Sequence, residues 1–292
     1  MGEAQNKPVL NQVFFPSSFQ ELFSAWSRFP EAVPFAGGAE LIRGQGKRVP
    51  LLPGNILSLE KLEDLRRITR TERYLEIGAM VRLNEIIRLG KIVPEVLTKC
   101  LAGIAGPQLR NIATIGGNIC NPSRRFDTTA PMIALDAHYE LRSAQSARWI
   151  SAARFSSFPG PTALAAQELL TRIRIPLEQW NYSLYRKFNT QGSGEPGGVM
   201  IFILRNQKNI LEDIRVVFSD NSVFREKNSE SMLIGKKLPL DRKDALSFIE
   251  RWKSYLNVVK APEERGGKER DSFDFIRAQI LSFIKTSIIV LV

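Results

Sequence analysis

The chain contains little cysteine and little histidine. Among its 292 residues are two cysteines, Cys100 and Cys120, and a single histidine, His138. Neither cysteine lies in a C-x-x-C pattern, so the usual ligand patterns for zinc and for iron–sulfur clusters are missing. One histidine in a predicted strand favours a structural role over catalysis. We therefore expect no metal site and no catalytic residue in this chain, and so few cysteines are typical of a reducing, cytoplasmic compartment.

Long apolar runs are also absent. A membrane-spanning helix needs roughly 18 uninterrupted apolar residues, and no charge-free run in the sequence approaches that length. The apolar run at residues 288–292 is short, and residues 1–7 are polar rather than typical of a secretory signal. These features predict a chain without a membrane partner.

Acidic residues are outnumbered. The sequence has 41 Lys and Arg residues against 30 Asp and Glu residues, which gives a formal net charge of +11. Such a surface attracts anions, and nucleic acid, an acidic protein subunit and a phosphate-bearing cofactor are the three candidates. The basic residues are spread along the chain without aromatic residues interleaved among them, which disfavours nucleic acid. Charge alone leaves the other two candidates open.

Hydrophobic periodicity predicts alternating helices and strands, with Pro176 as a natural boundary. Ser18 and Glu21 form a capping-box pattern at the start of the first helix. Before the boundary we predict helices at 17–29, 83–89, 96–105 and 127–134, and strands at 32–35, 56–59, 74–78, 138–142 and 169–175. Beyond it we predict strands at 199–204 and 214–218, then helices at 241–255 and 272–289.

Two segments share one pattern, in which an apolar run leads into adjacent glycines and then a polar residue. Paired glycines permit positive φ and let a ligand approach the backbone. Their exposed N–H groups can form a nest for anionic oxygens. One such pair is usually only a turn, but two converging loops would suit the pyrophosphate of a dinucleotide. The first glycine segment is Phe35, Ala36, Gly37, Gly38, Ala39, Glu40 and Leu41, and the second is Thr114, Ile115, Gly116, Gly117 and Asn118.

A third glycine-rich stretch is a false signal. Residues 192–197 fit G-x-G-x-x-G literally. The dinucleotide fingerprint requires a buried strand before the glycines and a helix after them. Here Pro196 interrupts the motif and a strand-like run follows. We interpret this stretch as a loop.

The ordered set of motifs resembles the FAD-binding subunits and domains of the molybdenum hydroxylases, the family of xanthine dehydrogenase, aldehyde oxidase and carbon monoxide dehydrogenase. The resemblance covers almost the whole chain and is strongest over residues 104–119. Its further matches are Ala36-Gly37-Gly38, Ile77-Gly78-Ala79, Asp127, residues 134–137, Gly160-Pro161, residues 168–171, Ile173 and Ile175-Pro176.

This resemblance implies roles for particular residues. The first glycine segment would bind the FAD pyrophosphate, and the second would complete the phosphate and ribityl contacts through Thr114, Gly117 and Asn118. Asp127 would bind a cofactor hydroxyl, although it could instead be the N-cap of a helix. Leu170 would pack on the flavin or the adenine. Lys187 would lie near the isoalloxazine, although it could instead be a solvated surface lysine.

The resemblance also implies an α+β fold and a hetero-oligomeric oxidoreductase. A PCMH-type FAD-binding domain would span 1–178, with α/β subdomains of about 1–60 and 61–178. An α+β domain with a small antiparallel sheet and helices would span 179–292. A large subunit would carry molybdopterin and a small subunit two [2Fe-2S] clusters, from which electrons would pass through FAD to NAD or another acceptor.

Three departures from the family pattern qualify these expectations. Ala39-Glu40 replaces the frequent Thr-Asp and removes a hydroxyl near the phosphates. Arg124-Arg125 adds two charges that could pair with phosphate, face an acidic partner subunit or be solvated. The segment 191–198 lacks the Arg-Arg pair common in relatives, which leaves a non-catalytic flavin-binding or assembly module as an alternative.

Overall fold

The computed structural model describes residues 12–39, 52–121, 126–156, 163–189, 196–220, 222–258 and 267–292. Within them the chain has the α+β architecture expected from the sequence, with three separate sheets. None of the described helices is long and apolar enough to cross a bilayer. Several sequence predictions lie outside the described residues: those on Glu40, Leu41, Arg124-Arg125, Gly160-Pro161 and most of segment 191–198.

The first unit is a small parallel sheet with one helix. Strands β1 (Gln12–Phe14), β2 (Val33–Phe35) and β3 (Asn55–Ser58) lie in the order β1-β3-β2. Helix α1 (Phe19–Arg28) begins where the Ser18 side chain accepts the Glu21 N–H, a cap that contributes about 1 kcal/mol. Its Leu22 and Trp26 are buried in the core of this unit. Strand β2 runs directly into the first glycine segment.

The second unit is a five-stranded antiparallel sheet covered by helices on its inner face. Strands β4 (Ile68–Arg70), β5 (Tyr74–Gly78), β6 (His138–Arg142), β7 (Ala147–Ser151) and β8 (Leu169–Pro176) lie in the order β4-β5-β8-β6-β7. The helices are α2 (Leu83–Arg88), α3 (Glu95–Ala102), α4 (Pro107–Arg110), α5 (Ile115–Ile119), α6 (Phe126–Ala134) and α7 (Ala152–Ser156), and 3-10 turns occur at Glu63–Arg66 and Gly90–Ile92.

The third unit is an antiparallel sheet with helices on its outer face. Strands β9 (Tyr182–Asn189), β10 (Pro196–Gln207), β11 (Ile210–Ser219) and β12 (Val223–Phe224) lie in the order β12-β11-β10-β9, and helices α8 (Lys227–Leu233), α9 (Arg242–Val258) and α10 (Gly267–Ile289) follow. The sheet has four strands where the sequence predicted two.

Strand β10 joins the second and third units, because it packs into a different hydrophobic core on each of its faces. Successive side chains of a strand point to opposite faces. Val199, Ile201 and Ile203 accordingly pack into the core of the second unit. The intervening Met200, Phe202 and Leu204 pack against the C-terminal helices. The sheet is therefore buried on both faces, and apolar packing continues across residue 178. The domain limits at 60 and 178 stay predictions.

Several helix ends differ from the sequence predictions. Helix α3 ends at Ala102 rather than 105, because Ala105 adopts a φ of +46° that no helix tolerates. Pro107 then begins α4 at its first position, where a missing N–H costs nothing. The second glycine segment was predicted as a loop, but from Ile115 onward it forms helix α5.

Candidate functional site

A cleft of about 510 Å³ lies where the three units meet, within the roughly 300–1,000 Å³ usual for ligand sites. All three units contribute to its walls. The lining residues are 33–39, Pro53 and Ile56 from the first unit, Lys187 from the third, and Ile104, Ala105, Leu109, Ala113, Thr114, Gly117, Asn118, Cys120, Asn121 and Asp127 from the second.

The first glycine segment is shaped by close contacts within the protein. A methyl group at Gly37 would lie 1.8 Å from the carbonyl oxygen of Ile112, so only glycine fits there. Gly38 has a φ of +67°, and a methyl group on it would lie 2.5 Å from the Phe35 ring. The N–H groups of Gly37, Gly38 and Ala39 donate no hydrogen bond within the described part of the chain. The segment therefore offers three backbone donors beside the cleft.

In the second glycine segment, the backbone N–H groups already donate hydrogen bonds within the protein. Thr114 is the N-cap of α5, and all four N–H groups from Ile115 to Asn118 already have acceptors in the protein. The expectation that both segments present exposed N–H groups is therefore wrong for the second. The four bonds are Ile115 N to Val81 O at 3.0 Å, Gly116 N to Ala79 O at 2.9 Å, Gly117 N to Thr114 Oγ1 at 3.1 Å and Asn118 N to Thr114 O at 3.0 Å.

The two glycines of this second segment have different surroundings. A methyl group at Gly116 would lie 2.7 Å from the Ala79 Cβ, so this glycine allows α5 to pack against the end of β5. Gly116 is buried and is not among the residues that line the cleft. Gly117 does line it, and a methyl group there would meet only the Thr114 hydroxyl oxygen, at 2.9 Å. Gly117 therefore leaves free space in the cleft.

An ion pair lies at one side of the cleft. The Lys187 Nζ is 3.0 Å from the Asp127 Oδ1, and the two side chains are 22% and 4% exposed. Lys187 also donates to the Gly103 carbonyl oxygen at 3.4 Å. A solvated lysine is therefore the wrong interpretation. The N-cap alternative for Asp127 is also wrong, because α6 begins one residue earlier, at Phe126.

Strand β9 places Lys187 by packing along helix α3. Ser183, Tyr185 and Lys187 alternate along the strand, and all three contact the helix or the turn after it. Ser183 donates to the Glu95 carboxylate, whose pKa is lowered first by Lys99 and then by Ser183. A methyl group at Gly103 would lie 2.7 Å from the Tyr185 hydroxyl, and burial raises the pKa of that phenol. These contacts fix the third unit against the cleft.

Arg110 shapes a further part of the wall. Its guanidinium donates to the carbonyl oxygens of Ala102 at 2.8 Å and Ile104 at 2.9 Å, and also to that of Ala105. It thereby holds the backbone between α3 and α4, which lines the cleft. Arg110 lies within the family motif at residues 104–119, and no local sequence pattern indicates this role.

Leu170 is not at the cleft. Its side chain is 2% exposed and belongs to the core between the five-stranded sheet and its helices. It is not among the residues that line the cleft, so the expectation that it packs on a cofactor has no support here. The physical reason is its position on a strand, where alternation turns the side chain toward this core. Cys120, which no motif singled out, lines the cleft instead, and burial raises the pKa of its thiol to about 12.

The family model of the FAD binding domain in molybdopterin dehydrogenase matches residues 8–178. The chain belongs to this family. Its cofactor is therefore FAD.

Individual relatives agree with this assignment. The glyceraldehyde dehydrogenase medium chain of Sulfolobus acidocaldarius is 29% identical over 209 residues, which cover 70% of this chain and 74% of the relative. The xanthine dehydrogenase FAD-binding subunit of Escherichia coli O157:H7 is 32% identical over 155 residues, or 50% of this chain and only 51% of that subunit.

Solved structures share the fold over nearly the full length. Quinoline 2-oxidoreductase from Pseudomonas putida 86 superimposes with a TM-score of 0.78 at 22% identity and covers 96% of each chain. Carbon monoxide dehydrogenase from Hydrogenophaga pseudoflava gives a TM-score of 0.77 at 23% identity and covers 94% of each chain.

Proposed function

We propose that this chain is the FAD-binding electron-transfer subunit of a molybdenum hydroxylase complex. The observation that carries the proposal is the cleft itself. It is built from all three units, and one wall carries the N–H groups of Gly37, Gly38 and Ala39, which donate to no acceptor among the described residues. Such donors suit a pyrophosphate, which needs several of them. The names of the relatives, a medium chain and an FAD-binding subunit, support a role within a larger assembly.

The residues of the cleft fit FAD in distinct ways. The first glycine segment would hold the pyrophosphate through its N–H groups. Thr114 and Asn118 would contribute side chains, while Gly117 leaves space for the cofactor to pass. Asp127 would accept a hydrogen bond from a cofactor hydroxyl. Lys187 would pair with the Asp127 carboxylate and add positive charge beside the flavin.

FAD, when bound, supplies the redox centre, and the protein supplies position and electrostatics. We propose that electrons arrive from [2Fe-2S] clusters in a small subunit, after substrate oxidation at molybdopterin in a large subunit, and leave to NAD or another acceptor. Because relatives named for glyceraldehyde and for xanthine both match this chain, we place substrate specificity in the large subunit. The two free thiols, Cys100 and Cys120, suit a reducing cytoplasm.

A non-catalytic flavin-binding or assembly module is the alternative. The sequence difference that favours it is the segment 191–198, which lacks the Arg-Arg pair of relatives. In that case FAD would bind, but it would not exchange electrons with partner subunits.

Two measurements test the proposal. The purified chain should be yellow and should release FAD on denaturation, whereas a colourless protein that takes up no added FAD contradicts FAD binding. The complex co-purified with its partner subunits should then lose its visible flavin absorbance when purines, aldehydes or N-heterocycles are added without oxygen. If FAD is present but stays oxidised while the molybdenum centre turns over, the alternative module is correct.

Binding at the second segment has its own test. Gly117→Val places a branched side chain in the cleft beside Thr114. We expect FAD content to fall sharply while the circular dichroism of the protein stays unchanged. Full FAD content in this variant would show that the cofactor does not pass Gly117.

A further inference from the structure

We infer that Thr128 is a positioning residue that fixes Asn118 as a hydrogen-bond donor in the cleft, and that the FAD group facing Asn118 is an acceptor oxygen. The inference rests on the proposed function, because it assigns a partner to a residue of the proposed FAD site. It concerns the second glycine segment, whose backbone donors are already engaged within the protein.

The contact between the two side chains sets the orientation of the Asn118 amide. Thr128 lies on α6 and is only 1% exposed. Its hydroxyl donates to the Asn118 Oδ1 over 2.8 Å. A carboxamide has one oxygen and one NH2 group, so an oxygen held by Thr128 leaves the NH2 group for the cleft. That NH2 group donates to no acceptor within the described part of the chain.

The remaining polar groups of the segment are also donors. The Thr114 Oγ1 accepts from the Gly117 N–H, which leaves the hydroxyl proton of Thr114 free to donate. This wall therefore presents an O–H and an NH2 group to a ligand. The Asp127 carboxylate, which also lines the cleft, is an acceptor on another element, α6. The NH2 group of Asn118 can only donate, so it favours an acceptor oxygen of the cofactor, such as one of phosphate or of a flavin carbonyl.

The role of Thr128 is tested by a double-mutant cycle on FAD affinity, measured by titrating the apoprotein with FAD and following flavin fluorescence. Asn118→Ala should weaken binding by about 10- to 100-fold, the loss typical of a hydrogen bond to a charged group. Thr128→Val keeps the side-chain shape but removes the donor, and it should weaken binding by about three- to tenfold. Thr128→Ser should bind like the wild type, and Thr128→Val should have no further effect when Asn118 is already alanine.

The acceptor oxygen is tested by Asn118→Asp. Thr128 can still donate to one carboxylate oxygen, and the other oxygen then faces the cofactor. If the cofactor presents an acceptor, this variant should bind FAD more weakly than Asn118→Ala. Thermal unfolding of each apoprotein shows that the variants are folded.

Each outcome has a separate meaning. Wild-type affinity in Thr128→Val, failure of Thr128→Ser to restore binding, or additive losses in the double variant would overturn the positioning role. Tighter binding by Asn118→Asp than by Asn118→Ala would overturn the acceptor assignment. Unchanged affinity in Asn118→Ala would instead remove Asn118 from the proposed FAD site.

Discussion

The two glycine segments resemble each other in sequence but present different groups to the cleft. The first, around Gly37-Gly38, keeps three backbone N–H groups without an acceptor in the described part of the chain. The second, around Gly116-Gly117, begins a short helix, and its N–H groups are all bonded within the protein. What it offers a ligand is the side chains of its polar residues.

This difference shows what adjacent glycines mean in a sequence. Adjacent glycines indicate that another group lies close to the backbone, but they do not identify that group. At Gly37 the approaching group is the backbone of Ile112, and at Gly116 it is Ala79. Gly117 lines the cleft, and an added methyl group there would meet a side-chain oxygen and no backbone atom outside its own helix within 4 Å. Adjacent glycines in a sequence can therefore serve close packing within the protein as well as ligand binding.

The largest effect should come from Gly37→Ala. The added methyl group would lie 1.8 Å from the backbone carbonyl oxygen of Ile112, so the first segment must shift away from that backbone. We expect FAD affinity to fall by about 10- to 100-fold, since overpacking of this kind costs about 1–3 kcal/mol. FAD titration of the apoprotein measures the effect.

Gly90→Ala is the matched control. Gly90 has a φ of +63° but no atom within 4 Å of an added methyl group. It should cost about 1 kcal/mol of stability through backbone strain and leave FAD affinity unchanged. If both variants bind FAD equally well, the contact between Gly37 and the Ile112 backbone does not shape the site.

Lys187→Met should have the next largest effect, on stability as well as on binding. It leaves the nearly buried Asp127 carboxylate without its partner. Breaking a buried pair costs about 3–5 kcal/mol, and we expect about 1–3 kcal/mol here because Lys187 is partly exposed. Urea unfolding of the apoprotein measures this. The double variant Asp127→Asn with Lys187→Met should recover part of the loss, and additive losses would mean that the two residues act independently.

Gly117→Ala should have a smaller effect on binding than Gly37→Ala. The new methyl group meets a single side-chain oxygen, that of Thr114, at 2.9 Å. We expect roughly a three- to tenfold loss of FAD affinity, equivalent to about 1 kcal/mol. The same titration compares the two alanine variants directly, and a larger loss for Gly117→Ala than for Gly37→Ala would reverse the comparison.

The smallest expected effect is on stability, and it comes from an ion pair next to the contact between the first unit and the five-stranded sheet. Gln167 donates to the Trp26 carbonyl oxygen, and the adjacent Glu168 accepts two bonds from Arg148, at 2.6 and 2.7 Å. The hydrogen bond from Arg148 is the main reason that the pKa of Glu168 lies below its ordinary value. A carboxylate with a lowered folded-state pKa stabilises the fold above its unfolded pKa of about 4.3, and the contribution is lost as pH falls through the folded-state value.

Glu168→Gln should therefore lower stability at pH 7 by at most about 1 kcal/mol, since Arg148 is half exposed and solvent screens the pair. The melting temperatures of variant and wild type should converge as pH falls below about 4. Thermal unfolding between pH 3 and pH 7 checks this, and a difference that stays constant with pH would exclude the ion pair as its cause.

Local signals predicted much of the fold. The Ser18 cap and the apolar face of α1 lie within ten residues of each other, so a local pattern was enough to predict this helix. Apolar and polar residues alternate along 74–78 and 138–142, and both strands were predicted with their observed limits. Strand β4 was missed because its three residues are all exposed, and β9 because its alternation of apolar and polar residues is irregular.

The site was predictable only in part. The two glycine segments and Asp127 were found through motifs. The pairing of Asp127 with Lys187 joins residues 60 positions apart, and no local pattern encodes it. Thr114 as an N-cap was available from the preference of threonine for that position, although the segment was interpreted as a loop. The role of Leu170 stays a prediction: its side chain is buried in the core and does not line the cleft, and a matching position in a motif does not tell which face of a strand a side chain occupies.

The central claim is that this chain binds FAD in a cleft whose first glycine segment supplies the backbone donors. Titration of the apoprotein with FAD, followed by flavin fluorescence, tests it most directly when wild type and Gly37→Ala are compared. The account predicts saturable binding of one FAD per chain that the substitution weakens by about 10- to 100-fold. No binding by the wild-type chain, or equal binding by both, would contradict it.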